Sequence, residues 1–193
     1  TRDWLLNDQS EKITSIFSCK SENDLLAEFF FLISNLYSSQ NDVDKSNFYL
    51  SISIFLNDKF KANKLLTVEN FYNLGKFKEA EKILQEFNKE DKLFYWFKLK
   101  MKTKIIASNS NEKLALNFIQ SKYKKINKKT DKIVFDMANI LKNYKKYDQA
   151  IILYSQLMRN FDQDSETYAD LLFRRGGSNE RLGRYLKSDK DLL

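Results

Sequence analysis

The stretch Asn73-Leu74-Gly75-Lys76-Phe77-Lys78-Glu79-Ala80-Glu81-Lys82-Ile83-Leu84 is echoed by Lys142-Asn143-Tyr144-Lys145-Lys146-Tyr147-Asp148-Gln149-Ala150-Ile151-Ile152-Leu153, and again by Arg181-Leu182-Gly183-Arg184-Tyr185-Leu186-Lys187-Ser188. In each copy an aromatic residue is followed three positions later by a small one. Ala115 lies midway between Ala80 and Ala150, and Ser46 lies 34 residues before Ala80, so small residues recur at steps of 34, 35, 35 and 38. Self-similarity at such a period marks a repeat architecture, in which each unit buries its apolar face against the next. The last step is longer by about one helical turn, which predicts a longer helix around Asp162 to Leu171.

Within each period apolar and small residues recur at helical spacing on two successive stretches. Phe30, Ile33, Ser34 and Tyr37 precede Ser46; Val134, Met137, Ala138 and Leu141 precede Ala150; Leu172, Arg175, Gly176 and Asn179 precede Ser188. A second stretch follows each small residue, with Leu50 and Ser53, Leu84 and Phe87, Ile119, Tyr154 and Leu157, and Leu192. Each unit therefore reads as a helical hairpin whose central small residue lets two helices cross closely. The chain has 193 residues, 0 Pro and 4 Gly, which favours long helices over the turn-rich chains of all-β folds. The fold class is all-α. Residues 1–21 are expected to be a capping helix or the remnant of a preceding unit, amphipathic from Asp8 to Cys19 with Ile13, Ile16 and Phe17 on one side. Residues 22–193 are expected to form one array, with units at about 27–60, 61–95, 96–130, 131–168 and a truncated 169–193.

In these features the chain resembles the tetratricopeptide repeat family, whose unit carries an apolar-small pair, a Gly-x-aromatic turn, a mid-hairpin Ala and two further apolar residues. The register is best at Gly75/Phe77/Ala80, Tyr147/Ala150/Tyr154 and Gly176/Gly183/Tyr185/Ser188. Glu112 stands where the turn aromatic belongs, Arg175 where an aliphatic belongs, and Asn179 where an aromatic belongs. The run Arg174 to Tyr185 is similar to the matching unit of long bacterial multi-repeat proteins of the family, which are often exported. The resemblance implies a right-handed superhelical solenoid of about five hairpins that binds another protein without catalysis. It places Phe31, Asn35, Leu65, Tyr72, Phe97, Lys100, Lys104, Lys132, Phe135, Asn139 and Lys142 on the concave, partner-binding wall, with Glu28 and Asp170 at two further groove positions. Phe97 and Phe135 would be apolar anchors, and Lys100, Lys104, Lys132 and Lys142 would select a partner rich in acidic residues. The carboxylate-gripping set of the co-chaperone branch does not assemble, because Phe31 occupies one of its Lys positions.

The net charge is +7, and residues 89–132 hold 13 Lys against Glu90, Asp91, Glu112 and Asp131. Lys122, Lys124, Lys125, Lys128, Lys129 and Lys132, with Tyr95, Trp96 and Tyr123 nearby, offer an alternative function, binding of nucleic acid or another polyanion. The scarcity of Arg argues against it, since Arg makes the bidentate and stacking contacts that such sites prefer. With 0 His and 1 Cys, the usual neutral-pH acid/base, the commonest metal ligand, internal disulfides and thiolate clusters are missing from the sequence. No cofactor, metal or catalytic residue is expected. The carboxylate pairs Asp42/Asp44 and Asp162/Asp164 sit in polar joints, where Asp44 and Ser165 are expected to cap helices. No stretch approaches the roughly 20 apolar residues of a spanning helix. Exposed Leu192 and Leu193 at the truncated unit would favour self-association.

Overall fold

A computed structural model describes residues 20–89, 92–109 and 111–192; these form ten α-helices and one 3-10 turn, with no strand among them. The helices are α1 (Glu22–Ser39), α2 (Val43–Leu56), α3 (Lys61–Asn73), α4 (Phe77–Leu84), α5 (Lys92–Ser108), α6 (Glu112–Lys124), α7 (Asp131–Asn143), α8 (Tyr147–Leu157), α9 (Glu166–Arg181) and α10 (Tyr185–Leu192). The expected helix from Asp8 to Cys19 lies outside the described residues. The chain divides into two compact units, Thr1–Ile105 and Ile106–Leu193, where the sequence suggested one array over 22–193.

Short polar side chains start the helices. Ser21, Asp42, Asn111, Thr130 and Ser165 each accept a hydrogen bond from the backbone N–H three residues on, satisfying one of the first turn's orphan donors. Ser165 caps α9 as expected, but Asp42 rather than Asp44 caps α2, its carboxylate taking the Lys45 N–H at 3.2 Å. Lys45 Nζ also reaches Asp42 at 2.8 Å, and these bonds hold the Asp42 carboxyl below its ordinary range. The long last step of the repeat is spent on the 3-10 turn Met158–Asn160 and on a 16-residue α9, which begins at Glu166, later than Asp162.

Four of the turns share one geometry. Asn41, Gly75, Lys145 and Gly183 have φ of 61°, 70°, 58° and 70°, and each stands five residues before its central small residue, Ser46, Ala80, Ala150 or Ser188. The next N–H donates back to the carbonyl five residues earlier: Asp42 to Tyr37 (3.0 Å), Lys76 to Phe71 (2.8 Å), Lys146 to Leu141 (2.8 Å) and Arg184 to Asn179 (2.9 Å). This left-handed C-terminal cap closes the first helix and aims the chain into the second. Ser46, Ala80, Ala115, Ala150 and Ser188 are all buried.

In the first unit α1 packs on α2, α2 on α3 and α3 on α4. Its interior has two parts. Val68, Ala80, Leu84, Phe87, Met101 and Ile105 form an apolar cluster. The other part is polar: within the first hairpin Ser34 Oγ donates to the Ser46 carbonyl at 2.7 Å, and from the second hairpin Asn70 Nδ2 donates to Ser46 Oγ at 2.9 Å and Asn47 Oδ1 at 2.8 Å. Asn63 Oδ1 accepts from Ser53 at 2.9 Å, and Asn70 Oδ1 from Ser38 at 2.9 Å. Every one of these buried donors therefore has a partner, as burial requires.

α1 carries an exposed apolar stripe, Leu26, Phe29, Leu32 and Leu36. The positions one repeat later are Phe60, just before α3, and Asn63, Leu66 and Asn70 on it, all buried, and Phe60, Asn63 and Asn70 touch α1 or α2.

In the second unit α8 packs on both α7 and α9, and α9 on α10. Ile133, Val134, Met137, Leu141, Tyr154, Leu157 and Leu171 are buried there. Arg175, in place of an aliphatic residue, forms a bidentate pair with Asp191 of α10 and donates to Ser155 Oγ of α8 at 3.2 Å. The guanidinium thus links three helices where a Leu would only fill space.

Candidate functional site

The cap at Thr130 starts α7, and the helical period then places Lys132, Phe135, Asn139 and Lys142 along one stripe. Phe135 is half-buried between two cations. Lys132 Nζ lies 5.9 Å from its ring centroid and Arg174 Cζ, on α9, lies 5.0 Å from it, both within cation–π range. Each cation also has a carboxylate: Lys132 Nζ pairs with Asp136 at 2.8 Å, and Arg174 Nε with Asp170 Oδ2 at 2.8 Å. The bond to Asp170 raises the Arg174 pKa further.

Asn139 carries the stripe into the core. Its Oδ1 accepts the Tyr154 hydroxyl at 2.8 Å and Arg174 Nη1 at 3.2 Å, so α7, α8 and α9 meet at one oxygen. Burial pushes the Tyr154 phenol up to about 12, against the opposing pull of Arg174. Lys142 is half-exposed on the same stripe and makes no ion pair among the described residues.

Beside Phe135 a cavity of about 450 Å³ opens between α7, the end of α8 and α9, within the size range of small-ligand and side-chain pockets. Its floor is Phe135, Leu157, Phe161 and Leu171. Asp131, Lys132, Glu166 and Asp170 stand round its mouth.

The other expected groove residues lie in the first unit. Leu65, Tyr72 and Phe97 are partly buried against the apolar cluster, and Lys104 Nζ lies 5.7 Å from the Tyr72 ring centroid. Phe97 meets Phe87 edge-on at 6.4 Å, so much of its ring is committed to the core. Phe31 packs edge-on against Phe60 at 5.2 Å. Asn35 is exposed and Lys100 half-buried. Glu28 is buried, which corrects its placing on an open groove wall.

In the basic segment, Lys98 Nζ donates to the Phe87 carbonyl at 2.7 Å, and burial lowers its pKa. Lys122 and Lys129 fold onto the Phe118 and Tyr123 rings, at 5.6 and 5.0 Å. Lys124, Lys125 and Lys128 remain exposed. Among the described residues no His, Cys, Asp and Glu group is placed to hold a metal ion, and no helix is long and apolar enough to cross a membrane.

Arg174 is the residue that sequence reasoning missed. Its signal was the Asp170–Arg174 spacing of four, which pairs the two on one helix face; its reach to Phe135 and Asn139 depends on packing between hairpins. No family model matches the chain, and no curated protein matches it.

Proposed function

We propose that the chain is a non-catalytic protein-interaction module of tetratricopeptide-like hairpins in a right-handed superhelical solenoid, which takes a peptide or protein segment against the first helices of its hairpins. The observation that carries the reading is the half-buried Phe135 ring, fixed between Lys132 and Arg174 at the edge of an apolar cavity. A rigid aromatic with charged flanks is how protein interfaces combine apolar anchoring with orientation. The shared turn geometry and the buried small residues support the repeat part of the reading.

A second reading, polyanion binding through residues 89–132, is favoured by the exposure of Lys124, Lys125 and Lys128. Affinity capture from a cell lysate separates the two, comparing the intact chain with a Phe135→Ala/Arg174→Ala variant at low and moderate salt. A protein held at moderate salt by the intact chain and lost with the variant supports the first reading. Nucleic acid that elutes steeply with salt from both forms supports the second.

A further inference from the structure

The charges round the cavity in the second unit are unequal. Lys132 is taken by Asp136 and Arg174 by Asp170. Asp131 and Glu166 are left with no cation among the described residues: Asp131 accepts only the neutral Asn160 Nδ2, at 2.8 Å, and Glu166 stands exposed in the first turn of α9. Both line the mouth of a cavity whose floor is made of Phe135, Leu157, Phe161 and Leu171. The surface is thus an apolar socket with surplus negative charge, although the chain as a whole is basic.

From this we infer that the socket takes a bulky apolar side chain of a partner peptide next to a Lys or Arg, with the cation reaching Asp131 and Glu166. The inference rests on the protein-interaction reading and narrows it: at this site the partner is basic, whereas the Lys residues of the sequence point to an acidic one. The apolar group supplies desolvation, and the two carboxylates decide which neighbouring charge is accepted. An acidic neighbour would face these two carboxylates, while the cations beside the socket, Lys132 and Arg174, are already paired with Asp136 and Asp170.

The test uses the full chain and three fluorescently labelled nine-residue peptides of identical Ser/Gly background. Their centres are Leu-Lys-Arg, Leu-Glu-Glu and Ser-Lys-Arg, and binding is read by anisotropy at about 0.05 and 0.15 M salt. The expected result is binding of the Leu-Lys-Arg peptide at least about fivefold tighter than either of the others. An Asp131→Asn/Glu166→Gln variant, with an unchanged melting curve, should bring the two Leu peptides to about equal affinity. Preference for Leu-Glu-Glu, or a basic preference that survives the variant, overturns this inference and leaves the interaction reading standing. Equal binding of Ser-Lys-Arg overturns the socket, because the apolar side chain is then irrelevant. No binding of any peptide overturns this inference alone, and the capture experiment with the Phe135→Ala/Arg174→Ala variant then decides the interaction reading separately.

Discussion

The hydroxyl of Tyr154 donates to the side-chain oxygen of Asn139 at 2.8 Å, and that oxygen also takes Arg174 Nη1 from the next hairpin. One amide therefore joins a buried phenol to a half-exposed guanidinium. Because burial pushes the phenol up to about 12, the folded chain keeps a proton that the unfolded chain gives up near pH 10. Stability from this group is complete below pH 10 and is lost as pH rises to 12, by on the order of 2 kcal/mol. Denaturant midpoints for the wild type and Tyr154→Phe between pH 8 and 12 should converge as this difference vanishes. Parallel curves would show that the phenol titrates normally.

Lys145 adopts at φ 58° the backbone that Gly75 and Gly183 adopt at 70°. A side chain there costs about 1 kcal/mol relative to Gly. Lys145→Gly should stabilise the chain by about that amount, and Gly183→Ala should destabilise it similarly, although nothing lies within 4 Å of the added methyl. Thermal melts of the two variants check both signs.

Ala80 and Ala150 are fully buried where their hairpins cross. Enlarging either to Leu should cost about 1–3 kcal/mol by forcing the helices apart, whereas Ala150→Ser should cost distinctly less. Urea unfolding measures the difference, and equal costs would remove close helix approach as the reason for the small residue.

Phe97 and Phe135 were expected to be equivalent anchors, yet their surroundings differ. Phe97 rests on the apolar cluster and on Phe87, while Phe135 lies at a cavity between two cations. Phe97→Ala should lower stability by about 2 kcal/mol or more, and Phe135→Ala by roughly half as much. The same pair in the capture experiment should show partner loss with Phe135→Ala at temperatures where that variant remains folded.

The hairpin pattern was legible because it rests on a local constraint: helices joined by a tight left-handed turn need a small residue at a set distance beyond it. That is why Ser46, Ala80, Ala150 and Ser188 could be found by counting. The helix starts were nearly as plain, although of the two acids in one joint Asp44 is the expected cap and the backbone N–H of Lys45 turns to Asp42 instead. What could not be read was anything that depends on a neighbouring hairpin. Asn63 and Asn70 occupy positions where a periodic reading finds only polarity, and their burial follows from partners 10 and 24 residues away. Arg174 finds Asn139 across 35 residues. The candidate site was therefore half legible: the α7 stripe and Asp170 were visible, but not the Arg174 guanidinium, Asp131, Glu166 or the cavity that give it chemistry.

The polar seam of the first unit also bears on how such a chain can change over time. Asn70 fits only behind a hairpin that offers the hydroxyl of Ser46 and the amide of Asn47, and an apolar neighbour would strand its buried donors. The second hairpin is consequently not an interchangeable tile. A gene duplication that copied it alone would place it against an incompatible back, whereas one that copied Glu22–Leu84 as a block would carry lock and key together. The inheritable element at this end of the chain is the pair of hairpins rather than the single repeat.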